Sequence, residues 1–125
     1  MTAPVRVFVA ANGNEFMRDI ASWFVDAARL AGRTSELVSD ALPSIDGSIN
    51  LVVAPHEFFE LFDASADTLQ RAAAASICVG TEQPGTPWFD LTLDACRRGL
   101  ECLDINPHGV AALSAAGLTA SHVQL

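Results

Sequence analysis

The chain has 125 residues, half of them hydrophobic, and sets seven basic against fifteen acidic side chains for a formal net charge of -8. That length holds one domain with one core. No apolar run approaches the ~18 residues of a membrane span, and Met1-Thr2-Ala3-Pro4 lack the basic and apolar regions of a secretory signal, so a cytoplasmic protein without a transmembrane segment is expected. Every cation is an arginine, and only Arg97-Arg98 form a pair; sequence-independent nucleic-acid binding, which needs several phosphate-neutralising cations on one face, is excluded.

Val5 to Ala10 reads as a first strand, ended by Asn12-Gly13-Asn14. A helix follows over Glu15 to Ala31, with Phe16, Ile20, Trp23, Phe24, Ala27 and Leu30 recurring at the spacing of one buried face. Asn12 with Glu15 predicts a capping pair and Gly32 a stop. Arg33 to Val38 is a short second strand, and Ser39 to Ser48 an exposed connection. Leu51 to Ala54 is a third strand with almost no polar residue, as expected when both faces are covered, and Pro55-His56-Glu57 ends it.

After Phe58 to Asp63, an alanine-rich helix spans roughly Ser65 to Ala75. Ser76 to Gly80 is the fourth strand. Thr86-Pro87 then opens a helix to Arg98, with the hydroxyl as N-cap and proline at the first helical position. Arg97 and Arg98 in its last turn complement the dipole, and Gly99 closes it. Leu100 to Ile105 is a fifth strand, Asn106-Pro107 opens a short helix that Gly117 terminates, and Thr119 to Leu125 reads as a last strand. Strand and helix alternate throughout, so the expected fold is α/β: a three-layer, mostly parallel Rossmann-like sheet with helices on both faces. Residues 1–125 read as one such domain, and a final strand with no helix after it reads as the N-terminal half of a longer two-domain protein.

In such a sheet the residues just past each strand converge on one edge, where open α/β sheets place their ligand sites. Those residues are Asn12, Gly13 and Asn14 after the first strand and His56 and Glu57 after the third. Glu82 and Gln83 follow the fourth, and Asp104, Asn106 and His108 the fifth. A histidine poised near neutral pH among carboxylates suits acid–base work on hydroxyls. Set against that, Glu57 also suits a solvated first helical turn, Asn106 an N-cap, and the Asn-Gly-Asn loop a tight turn.

Absent residues exclude several functions. A receiver domain needs an acidic pair after the first strand, a phosphorylatable aspartate after the third and a lysine after the fifth; here stand Ala11-Asn12, Pro55-His56 and Asp104-Ile105. No GxGxxG or Walker lysine is present, so no dinucleotide or nucleoside-triphosphate site is expected. The acidic and histidine spacing demands no metal, and no cofactor is expected. Cys78, Cys96 and Cys102 form no CxxC pair and are expected to be buried free thiols of a reducing compartment.

At Ala54-Pro55-His56-Glu57-Phe58-Phe59, Gly80-Thr81-Glu82-Gln83-Pro84-Gly85 and Leu103-Asp104-Ile105-Asn106 the sequence resembles the N-terminal half of certain bacterial GT-B glycosyltransferases. These motifs lie in the same order, and the resemblance covers roughly Leu51 to Leu125. It implies an acceptor-side domain that works with a nucleotide-sugar donor, the donor being held mainly by a C-terminal domain absent from this chain. It also implies His56 as base or acceptor contact, and Glu57 and Glu82 orienting hydroxyls, with Asn12 to Asn14 lining the cleft. The isolated domain is then expected to be inactive or weak, because transfer needs both walls of the cleft. The other expectation is a non-catalytic α/β interaction or regulatory module of receiver-like topology without the phosphorylation residues.

Overall fold

The computed structural model describes residues 2–125. Its elements run β1 (Val5–Phe8), α1 (Glu15–Leu30), β2 (Ser35–Val38), β3 (Ile49–Val53), α2 (Pro55–Leu61), α3 (Ala66–Ala74), β4 (Ile77–Gly80), α4 (Pro87–Arg98), β5 (Glu101–Asp104), α5 (Pro107–Ala115) and β6 (Ala120–His122). The six strands form one sheet in the order β2-β1-β3-β4-β5-β6, and every neighbouring pair is parallel. The expected three-layer Rossmann-like architecture is therefore present, with a sheet that is parallel throughout.

The order reverses at β1, so the crossover through α1 falls on one face of the sheet and the crossovers after it fall on the other. Side chains alternate along each strand, and the three apolar clusters follow that alternation. On one face Val5, Val7, Val53 and Val79 pack under Met17, Ile20, Ala21 and Val25 of α1. On the other, Cys78 and Cys102 meet Phe89 and Cys96 of α4 and Leu113 of α5, while Phe8 and Val52 meet Phe58 of α2.

Among the described residues α1 is the only helix on its face, because the β2–β3 connection, which contains no helix, and the helices after it pack on the other. A helix ~10 Å across cannot cover six strands ~4.8 Å apart. Leu51, Ile77 and Leu103, which share that face, remain partly exposed. On the flank of α1, Phe16 and Trp23 stack edge to face at 6.4 Å while staying 54% and 47% exposed.

Local chemistry sets the helix starts. Thr86 Oγ1 accepts from the Phe89 amide, as expected, and Asn106 Oδ1 from that of His108. The cap of α1 is Asn14 instead of Asn12: its extended backbone lets Oδ1 accept from the Phe16 amide at 2.8 Å. The largest departure from the sequence reading is α2. Pro55 does not merely end β3; it is the first residue of a helix, where its missing N–H costs nothing and its fixed φ is already helical.

Candidate functional site

The turn from β3 into α2 positions the central residues. Ala54 stands between them with φ 55°, a left-handed conformation and the only positive φ at a non-glycine among the described residues. It is fully buried and locked by three backbone hydrogen bonds: its N–H donates to Val79 O, and its carbonyl accepts from Glu57 and Phe58. A non-glycine residue keeps this conformation only where its surroundings over-determine it, as these three hydrogen bonds do. Here the sharp turn puts His56 and Glu57 on the carboxyl edge within the first turn of α2.

From this turn the two side chains go separate ways. His56 points toward the end of β4, where its Nε2 lies 3.6 Å from Glu82 Oε1. The other Glu82 oxygen accepts from Thr81 Oγ1 at 3.2 Å, so the carboxylate is oriented from behind. His56 is only 6% exposed, and its Nδ1 is buried without a hydrogen-bond partner. The 3.6 Å separation is too long for a hydrogen bond; it is an ion-pair distance, close enough for Glu82 to stabilise an imidazolium.

Glu57 instead crosses toward β1. Its Oε1 accepts from the Asn14 amide at 3.0 Å and rests against Gly13, where a Cβ would fall on it. The absence of a Cβ at Gly13 thus leaves room for the carboxylate, and Glu57 ties the loop after β1 to the start of α2. Asn12 is exposed beside this tie.

On the β4–β5 side the predicted residues separate. Gln83 is exposed and contributes its carbonyl to Thr86 Oγ1 at 2.8 Å. Asn106 serves as the cap of α5, with its Nδ2 buried and unpaired. Asp104 is fully buried, beneath the edge and not on it. Its Oδ1 accepts from the Asn106 amide at 2.8 Å, while Oδ2 has no partner. Gly80 and Gly109 press on the same carboxyl, and a Cβ on either would meet it. Burial pushes the Asp104 carboxyl up to about 6, against the pull of the Asn106 amide and of His122.

Sequence reading gave His122 no role, although β6 pairs it in register with Asp104 and its Nε2 lies 3.2 Å from Ile105 O. Only the strand order reveals that neighbour. His108 is exposed in the first turn of α5. The structure therefore brings together His56 with Glu82 and Glu57 with Gly13 and Asn14, and sets Asp104 below them.

The three cysteines are free and buried. The Cys102 thiol is pushed far up, first by its contact with Cys96 and then by burial, so it stays protonated and is no nucleophile. Among the described residues no cluster of three or more histidine, cysteine or acidic side chains is placed to hold a metal ion, and no helix is long and apolar enough to cross a membrane. No protein-family profile, curated protein or solved structure matches the chain.

Proposed function

We propose that the chain is the acceptor-side domain of a glycosyltransferase of the GT-B type, with His56 as the base that takes the proton of an acceptor hydroxyl. The observation that carries this reading is the approach of His56 Nε2 to Glu82 Oε1, 3.6 Å apart across the ends of two neighbouring strands. A base needs a lone pair toward the hydroxyl and a group to stabilise the charge it gains. Glu82, already held by Thr81, is such a group for the imidazolium. The hydroxyl would enter beside Nε2, donate its proton there and attack the activated sugar carbon as the nucleotide leaves.

The Glu57 tie to Asn14 supports a cleft wall whose loops are fixed before substrate arrives, which lowers the cost of positioning. The donor nucleotide would be held by a second domain, so the reaction belongs to the whole assembly.

The test is sugar transfer by the native gene product that carries this domain, supplied with nucleotide sugars and hydroxyl acceptors. Loss of the base contributes about 10²–10⁴-fold in such reactions, so His56→Gln and Glu82→Gln should each lower turnover within that range while circular dichroism stays native. Undiminished transfer by His56→Gln would sink the assignment.

A second reading, a non-catalytic interaction module, draws on a different observation. His56 is 6% exposed, while Phe16 and Trp23 are 54% and 47% exposed beside the uncovered half of the sheet. On that reading His56 and Glu82 are indifferent to function, and Trp23→Ala is not.

A further inference from the structure

A pocket of about 200 Å³ opens where the strand order reverses, between the loop after β1, the end of β2 and α2. Neither His56 nor Glu82 lines it. Its apolar wall is Phe58, Leu61 and Phe62, with the two rings tilted at 46° and 5.7 Å between centroids. Its polar groups are Asn12, Ser39 and Asp63. The Ser39 hydroxyl oxygen is buried without a hydrogen-bond partner. Such a group costs stability unless something pairs with it.

We infer that this pocket binds a single hydroxylated aromatic ring, with the ring against Phe58, Leu61 and Phe62 and a hydroxyl paired with Ser39 Oγ. Size, wall and charge each narrow the ligand. A cavity of about 150 Å³ lined by Leu, Ile and Phe holds benzene, so about 200 Å³ holds a ring and its hydroxyls. Tilted phenylalanines favour an aromatic guest met edge to face. A free sugar does not fit, because three polar residues cannot satisfy its ring of hydroxyls and each unpaired one is penalised. A carboxylate is disfavoured by Asp63 at the mouth and by the net charge of -8. The site lies in the crevice where doubly wound sheets collect ligands, and it does not depend on sugar transfer by His56.

The test is a titration of the uniformly labelled chain with resorcinol, benzoate and glucose, followed by amide NMR. Resorcinol should give saturable shifts at Ala11, Asn12, Ser39 and Asp63 with a dissociation constant roughly in the millimolar range, the scale for eight heavy atoms. Ser39→Ala should weaken it about fivefold, the worth of one hydrogen bond. Ala11→Leu, a change at an exposed position, should fill the mouth and abolish it while the remaining spectrum stays native. Absence of saturable shifts, equal response to glucose or benzoate, or unchanged binding in Ala11→Leu would overturn the inference. Undiminished affinity in Ser39→Ala would show that the ring does not pair with the Ser39 hydroxyl, and would overturn the polar half of the inference.

Discussion

Glu57, just after β3, and Asp104, at the end of β5, occupy comparable places on the carboxyl edge, yet the fold treats them in opposite ways. Glu57 reaches out over a glycine and accepts from the Asn14 amide. Asp104 is drawn under two glycines, with one oxygen unpaired and a carboxyl pushed up to about 6. The side chain a strand end presents is thus decided less by its own type than by the neighbours that open or close the space beneath it.

The sharpest way to break the comparison is at Gly109. Its Cβ would fall on Asp104 Oδ2 and come within 2.5 Å of Cγ. Because the carboxyl is buried and cannot swing away, Gly109→Ala should destabilise the fold by about 3 kcal/mol, the upper end for overpacking. Adding Asp104→Ala should restore much of the loss, since the clash partner is gone. Urea denaturation of the four members of this double-mutant cycle reads the coupling. An additive double mutant would mean that Gly109 is required by the helix and not by Asp104.

The next effect is in pH. A carboxyl at about 6 in the folded chain, against about 3.9 when unfolded, binds more protons in the native state between those values. Its contribution therefore favours folding at low pH and is lost as pH rises from about 4 to about 6. Asp104→Asn keeps an oxygen for the Asn106 amide and does not titrate. Its stability relative to the parent should climb by about 1–3 kcal/mol between pH 4 and 7. A flat difference would mean that the buried oxygen finds a partner when ionised.

Gly13→Ala probes the other carboxylate. The added Cβ meets the end of a flexible, partly exposed side chain, so Glu57 can move into solvent. The expected cost is about 1 kcal/mol, the loss of one exposed hydrogen bond, and Glu57→Ala, which takes away the clashing side chain and the bond together, should remove most of the difference. A loss as large as that of Gly109→Ala would erase the contrast between the two strand ends.

The alternation of strands and helices was legible because apolar spacing and caps are local signals. Thr86, Asn106 and Pro87 carry their positions in their own side-chain chemistry. Asn12 and Asn14 are equally good caps in sequence, and only the backbone path chooses Asn14. The helix after Pro55 was hidden because the same proline also reads as a strand terminator, and because the left-handed turn at Ala54 uses no glycine to announce it. His56 and Glu82 were legible as strand-end residues, but their 3.6 Å approach depends on β3 and β4 being neighbours. Asp104 was read onto the edge because an acid after a strand looks the same whether Gly80 and Gly109 make room beneath it or not. Ser39 and His122 gave no signal, since their surroundings come from other strands.

The smallest effect belongs to Ala54, where the β3 end holds its cost in the backbone while the β5 end holds it in charge. A left-handed alanine costs about 1–2 kcal/mol relative to glycine, and Ala54→Gly relieves that strain. The same change frees the unfolded chain, an opposing term of about 0.4–1 kcal/mol, and removes a buried methyl worth about 0.8 kcal/mol. The terms nearly cancel, so stability should stay within about 0.5 kcal/mol of the parent. The consequence to look for lies in order, not in stability. Glycine lets the turn relax, so the imidazole of His56 should lose its fixed approach to Glu82. Side-chain NMR of His56 in Ala54→Gly reads this directly: a narrow, unchanged resonance would show that the hydrogen bonds of Ala54 to Val79 and Phe58 hold the turn without help from its strained backbone.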